Sequence, residues 1–485
     1  MGKRGESSQQ RKNGTSLALK GLVNHRALHS VVLVAVLLLA AYTAFFRLGV
    51  GDWHTDEVTY RNAGLMYVQD HDFSRNREHP FLAKYVLGVT QVVFDSSEPW
   101  VVRFPAAVAC LLTGLILFTF ARRVAGFWTG ILTLTLWVIS PVISEYGRLA
   151  LLESFLAFFS TLALYLGWRW AESGTWRFAA FAGVAIGLAT ASKAVGILFL
   201  PPILFAGLLK IGISWRFVFQ SLLIGLAAAA VAFATYAPLG SEAPSAIQYM
   251  FHFHSVHNAE GRGAVINGVW YQFHPWWKHL WAQWDFYGTL ATLSLGAAVV
   301  IALLRPRPVQ LYLLAATLIP FLFLSFYVSF KLPHYVYTWQ PPLILLLALA
   351  AGKLARQGII GGIVTILLLA PFAYLGVETV KAVSHTQPGY YAAVAEHLEA
   401  TGHDRDTMLV LGWRNVIEAY LPEAQVLKDR EHAQGEEIEA VIVDRSYAKR
   451  KPNRSVESYL ATNSDKFEPS YSVKEIEVYT RESDR

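Results

Sequence analysis

Residues 31–57 read VVLVAVLLLAAYTAFFRLGVGDWHTDE: an apolar run, Val31–Phe46, that breaks at Arg47 into a short loop holding His54 and the acid pair Asp56-Glu57. Residues 1–29 ahead of it are polar and basic, with Lys3, Arg4, Arg11, Lys12, Lys20 and Arg26 against one acid, Glu6. A basic head before an apolar run is also how a cleaved leader begins. Here no small-x-small cleavage signal follows the run, and Arg47-Leu-Gly-Val-Gly51 leads straight into the charged loop. The reading is an uncleaved first membrane helix with its N-terminus in the cytoplasm.

Further apolar runs follow at roughly 99–121, 127–144, 154–170, 178–192, 194–209, 217–237, 286–304, 309–330, 336–352 and 359–376. With the first they make about eleven spans, since a membrane crossing needs roughly 20 apolar residues. The run 79–94 is interrupted by Lys84, and we expect a helix lying at the interface. Alternating sides places Arg122, Arg123, Arg169, Arg177, Lys210, Arg216, Arg305, Arg307, Lys353 and Arg356 in the cytoplasm, with Glu172 the one acid among them. That bias is what the positive-inside rule demands, and a wrong parity would scramble it. An odd number of spans leaves the C-terminal segment outside.

Composition agrees. The chain is 54% apolar and 16% charged, against about 25% charged in soluble domains. The net charge of +6 is uneven: residues 1–376 hold 27 Lys/Arg and 15 Asp/Glu, whereas residues 377–485 hold 14 and 20. The basic half is the membrane half, so its charge reports orientation and gives no reason to expect nucleic acid. The single cysteine, Cys110, lies inside an apolar run, which excludes an intrachain disulfide or a cysteine-based metal site and reads as a small buried hydrophobe. No internal repeat of the kind common in secondary transporters is evident.

The expected organisation is a mainly α, polytopic transmembrane bundle with a small extracytoplasmic α/β domain. A basic tail covers 1–29, and the membrane part covers 30–376 with outer loops at 48–98 and 238–285. A soluble domain covers 377–485. In it Met408–Leu411 and Ala440–Val443 read as strands, Arg414–Leu421 as a helix and Val473–Tyr479 as an alternating strand. Lys449-Arg450-Lys451-Pro-Asn-Arg454 reads as a solvated basic loop.

Charged residues gather at the outer ends of the spans. Asp56-Glu57 lies in the first outer loop, with Glu78-His79-Pro80-Phe-Leu-Ala-Lys84 further along it. Arg148-Leu-Ala-Leu-Leu-Glu153 fills the next outer turn, Lys193 the one after, and Lys331-Leu-Pro-His334-Tyr335 a later one. A charge at mid-membrane costs about 2.5–3.5 kcal/mol on insertion scales, and helix-end residues snorkel for less. Acids and cations converging from distant segments suit displacement of a phosphate: a carboxylate takes the proton of an incoming hydroxyl, and cations hold the leaving phosphate.

Taken in order, these pieces, together with Ala191-Ser-Lys193-Ala-Val-Gly196 and Phe199-Leu-Pro-Pro202, resemble the protein O-mannosyltransferase superfamily of membrane glycosyltransferases, of GT-C architecture, which includes the lipid A aminoarabinose transferases. The resemblance spans roughly residues 30–355. It implies a polyprenyl-phosphate-linked sugar donor, mannose among the candidates, and direct inverting transfer to a hydroxyl of a protein or a lipid-linked glycan acceptor. Asp56 would be the general base with Glu57 in support, and Lys84, Arg148 and Lys193 would contact the donor phosphate. His79, Glu153, Lys331 and His334 occupy motif positions.

Two departures from the family pattern stand out. His79-Pro80-Phe81 replaces His-Pro-Pro, and Glu153 stands where Asp is usual. The loop 238–285 is too short for the β-trefoil domain of eukaryotic members. It carries His252, His254, His257, His274 and His279 and is rich in tryptophan from Trp270 to Trp284. A divalent metal there is compatible with the residue types, although interfacial aromatics account for the composition more simply. The rival class is a polytopic lipid or glycan transporter or flippase, which would place its acids at mid-membrane.

Overall fold

A computed structural model describes residues 6–304, 306–428, 436–450 and 454–481, with side chains from Arg26 onward. The first helix, α1 (Glu6–Phe45), contains a span at Arg26–Phe45. The first outer loop then folds into two helices, α2 (Thr55–Gln69) and α3 (Leu82–Phe94). They cross with backbones touching, because a Cβ on Gly64 would lie 2.2 Å from the Lys84 carbonyl oxygen and one on Gly88 would lie 2.0 Å from that of Gly64. Glycine at both positions is what permits this approach.

The bundle continues through α4 (Pro99–Ala125), α5 (Phe127–Val138), α6 (Pro141–Tyr146), α7 (Leu152–Ser173) and α8 (Trp176–Ser192). The expected run 127–144 is thus two helices. Pro141 at the first turn of α6 ends the continuous helix, and the Ser140 hydroxyl instead meets the Tyr287 hydroxyl at 2.5 Å. Next come α9 (Leu200–Ile211) and α10 (Trp215–Ala234). The outer loop that follows holds α11 (Ala243–Glu260) and a hairpin, β1 (Ala264–Ile266) and β2 (Val269–Tyr271). Its Asn267-Gly268 turn has both residues at positive φ, as a tight hairpin prefers.

The remaining membrane helices are α12 (Lys278–Leu304), α13 (Pro308–Leu322), α14 (Gln340–Leu354) and α15 (Gly358–Ser384). The expected apolar runs fall largely on helices, and eight of the described helices are long and apolar enough to cross a membrane, against the eleven spans expected; the runs 127–144, 154–170 and 178–192 are not among the eight. Burial sorts them. Most residues of the apolar stretch within Pro333–Leu354 are buried, whereas few of those within Trp215–Ala234 and Gly358–Ser384 are, so these two present apolar side chains outward, as helices facing lipid do. Cys110 is buried, as expected.

Since α15 runs to Ser384, the expected boundary at residue 377 falls inside a helix. Beyond it α16 (Tyr390–Ala400) leads to β3 (Thr407–Leu411), α17 (Arg414–Tyr420), β4 (Gln425–Leu427), β5 (Ala440–Asp444), α18 (Arg445–Arg450), α19 (Arg454–Thr462), β6 (Phe467–Val473) and β7 (Ile476–Arg481). The sheet order is β4-β3-β5-β7-β6, parallel across β4-β3-β5 and antiparallel beyond. The strands read at 408–411 and 440–443 and the helix from Arg414 are present. The single strand expected over Val473–Tyr479 is instead the hairpin between β6 and β7, turning at Lys474, which has positive φ. The basic segment is helical at Lys449, and Lys451–Asn453 lie outside the described residues.

Candidate active site

Asp56 owes its position to a helix cap. His54 is the N-cap of α2: its Nδ1 accepts the Asp56 N–H at 3.2 Å, and the Glu57 carboxylate accepts the His54 N–H at 2.8 Å. This reciprocal cap satisfies the exposed donors of the first turn. The Asp56 carboxylate is therefore not consumed as a cap. Among the described residues it accepts no hydrogen bond, and His54 Nδ1 lies 3.9 Å from it. Its side chain is 32% exposed.

Glu57 points the other way, into the protein. Arg103 of α4 donates to both its oxygens at 2.9 Å, and the Ala150 N–H donates at 2.7 Å. Arg103 also donates to the carbonyls of Leu48 at 3.2 Å, Val50 at 3.4 Å and Asp52 at 2.7 Å. Burial alone would raise the Glu57 pKa, but the Arg103 charge and the hydrogen bonds outweigh it and hold the carboxyl below its ordinary value. Glu57 thus welds the first outer loop to α4 and to the turn before α7. Both Glu57 oxygens are engaged within the protein, in contacts that suit the support of Asp56 expected of it.

Opposite Asp56 lies a buried set from three elements. Glu153 in the first turn of α7 pairs with Lys193, and its Oε1 is 3.3 Å from His334 Nε2. Lys193 sits in extended conformation between α8 and a 3₁₀ turn, Ala194–Phe199, its ammonium 4.4 Å from the Tyr335 ring centroid. Gly196 makes that turn feasible, since a Cβ there would lie 2.4 Å from the Ala189 carbonyl carbon. The His54 and His334 rings meet edge-on at 5.8 Å, which links this set to the Asp56 loop. His79 packs edge-on to Tyr60 at 6.0 Å and against His254 at 5.6 Å. Burial, then the nearby Lys193 and Lys84 charges, pushes its pKa well down. His79 is neutral at physiological pH.

The other expected cations are elsewhere or already engaged. Lys84 is fully buried and donates to the Asn76 carbonyl at 2.6 Å, the Asn76 side chain at 3.1 Å and the His79 carbonyl at 2.8 Å. Its three hydrogens are used in holding the loop ahead of α3. Phe81, the departure from His-Pro-Pro, is buried beside it, edge-on to Tyr236 at 5.1 Å and Tyr67 at 5.2 Å. Arg148 donates to the Phe46 carbonyl and lines a separate cavity of about 470 Å³ with Asp52, Glu145 and Glu378. Lys331 is bound to the carbonyls of His274 and Val328, each at 2.7 Å.

Histidines of the 238–285 loop hold it within itself and to its neighbours: His257 bonds the Phe253 carbonyl at 3.0 Å, His254 the Glu78 carbonyl at 2.8 Å and His279 the Ser325 hydroxyl at 3.1 Å. Among the described residues the group able to hold a metal is instead His54, Asp56 and His334, with ligand atoms within 4.8 Å of one another. Two imidazoles and a carboxylate suit a borderline divalent ion. Against this, His54 Nδ1 is engaged in the cap and His334 Nε2 faces Glu153. The reading of residue types missed Arg262, whose guanidinium stacks 5.0 Å from the Phe330 centroid beside Tyr335. It also missed Arg103, because one arginine inside an apolar run gives no hint of its partner.

The C-terminal unit grips the same loop. Asp52 accepts the Tyr391 and Ala392 N–H groups at 3.2 and 3.1 Å, at the start of α16. Asn415 of α17 exchanges two bonds with Thr55, at 2.8 and 2.9 Å.

A multispan helical bundle with two helices folded from its first loop and a small sheet-bearing unit at its C-terminal end is the GT-C fold. Residues 78–241 match the family model of dolichyl-phosphate-mannose-protein mannosyltransferases. The fold is similar to that of ArnT from Cupriavidus metallidurans bound to undecaprenyl phosphate, with TM-score 0.65, 14% identity, and coverage of 94% of this chain and 98% of that one. The archaeal oligosaccharyltransferase AglB from Archaeoglobus fulgidus, in complex with an inhibitory peptide and a dolichol-phosphate, superposes with TM-score 0.53 at 13% identity, covering 95% of this chain and 75% of that one. No curated protein sequence matches the chain.

Proposed function

We propose that the chain transfers a sugar from a polyprenyl-phosphate donor to an acceptor hydroxyl at the outer membrane–water boundary, with Asp56 as general base. The observation that carries this is the Asp56 carboxylate, held on a capped helix with no hydrogen-bond partner of its own among the described residues and facing the buried Glu153–Lys193–His334 set. The match of residues 78–241 and the bound polyprenyl phosphates of ArnT and AglB support the donor class. Mannose is the sugar named in the matched family. The acceptor is a protein or a lipid-linked glycan.

The acceptor oxygen attacks the anomeric carbon, its proton passes to Asp56, and the bond to the phosphate breaks with inversion. Lys193 takes the charge that grows on the departing phosphate; losing one such contact costs about 2.7–4 kcal/mol by analogy with oxyanion donors. Glu153 and His334 hold Lys193 in place. The charge bias supports an N-terminus in the cytoplasm and the sheet-bearing unit outside. The test is incubation of the purified protein with polyprenyl-phosphate sugars, the product being identified by mass spectrometry. A glycosylated acceptor upholds the reading. Lipid movement across vesicles without sugar transfer would favour the flippase instead.

A further inference from the structure

At the end of the bundle opposite Asp56, a cavity of about 630 Å³ opens where the α4–α5 junction meets the start of α13 and the end of α14. Arg307, Lys353 and Arg356 line it. Arg356 donates to the Ala125 carbonyl at 2.8 Å, which fixes it at the rim. The buried Gln310 accepts the Arg307 N–H at 3.2 Å and pins that residue at the helix start. Among the described residues no carboxylate pairs with any of the three, and Glu172, the one acid in the loops of this face, is taken by Arg123 at 2.8 Å. The N-terminus of α13 adds the positive end of its dipole.

Orientation alone explains basic loops, but it needs no cavity. Three cations without acids, around a concavity at the membrane boundary, make a seat for a multiply charged oxyanion. We propose that this cavity binds a phosphate group, carried by an anionic lipid of the adjoining leaflet or free in solution. It is separate from the sugar-transfer site and does not depend on that reading.

The test uses the full chain in nanodiscs of phosphatidylcholine alone or doped with phosphatidylglycerol, with bound lipid counted by native mass spectrometry. The triple variant R307Q/K353Q/R356Q touches none of the residues placed at the transfer site. Removing each charge is expected to weaken binding roughly fivefold, so the triple variant should lose at least tenfold in phosphatidylglycerol retention. Should phosphatidylglycerol not bind selectively while millimolar inorganic phosphate raises the Tm of the wild type but not of the variant, the site stands with a soluble occupant. If neither probe distinguishes wild type from variant, the proposal is overturned. K353Q against K353R gives the same reading with a milder change: retention must fall with Gln and persist with Arg.

Discussion

Glu57 and Asp56 are neighbours with opposite fates, and the difference is one of partners. Glu57 is fully buried and receives four donors, so removing its charge leaves Arg103 buried and unpaired. Breaking a buried pair in this way costs about 3–5 kcal/mol. Glu57→Gln should therefore lower thermal stability by a corresponding margin, read as a fall in Tm and in folded yield. Unchanged Tm with lost turnover would return Glu57 to the reaction. Because its folded pKa is lowered, its stabilisation is complete above the unfolded value near 4.5 and is lost as pH falls through the folded value. Lys84→Ala belongs with Glu57: the loop ahead of α3 should loosen, whereas donor binding per folded molecule should hold.

Among elements, the crossing of α2 and α3 sets where Asp56 stands. Gly64→Ala would gain up to about 1 kcal/mol of helix propensity, but its methyl group would fall on the Lys84 carbonyl, and overpacking costs about 1–3 kcal/mol. The clash wins, so Tm and turnover should both drop. Gly225→Ala on α10, where a Cβ meets open space, should leave Tm equal or higher. Equal responses at the two positions would mean that the crossing is not tight. This scale also shows what could be read beforehand. Apolar periodicity revealed the spans, and the strands at Met408 and Ala440, because burial dictates their composition. It could not reveal the Gly64–Gly88 contact, the His54 cap or the Glu57–Arg103 pair, each of which depends on segments meeting in space. Lys84 shows the converse: its motif position was legible, but its three carbonyl and amide partners were not.

For the whole molecule, the two faces differ in charge. One carries Asp56, Lys193 and the sheet-bearing unit that holds the loop through Asp52 and Thr55; the other carries the basic cavity. The orientation is checked by cysteines introduced at Ser16 and at Ser458, which is exposed on α19. Cys110 is buried, so background labelling is expected to be low. An impermeant reagent should label Ser458→Cys from outside intact cells and reach Ser16→Cys only after lysis. Labelling of both from outside would reverse the assignment of faces.

The account rests most heavily on Asp56 as the base, and one substitution isolates that role. Asp56→Asn keeps the side chain's shape, and since His54 supplies the cap, the helix start is retained. Only the basicity goes. Purified wild type and variant are compared in single-turnover transfer from a polyprenyl-phosphate sugar, with donor binding measured in parallel. Transfer should fall by at least about 100-fold, the lower range for general-base catalysis, while donor affinity and Tm stay near the wild-type values. Near-normal transfer in Asp56→Asn would contradict the account, because the proton would then have another destination.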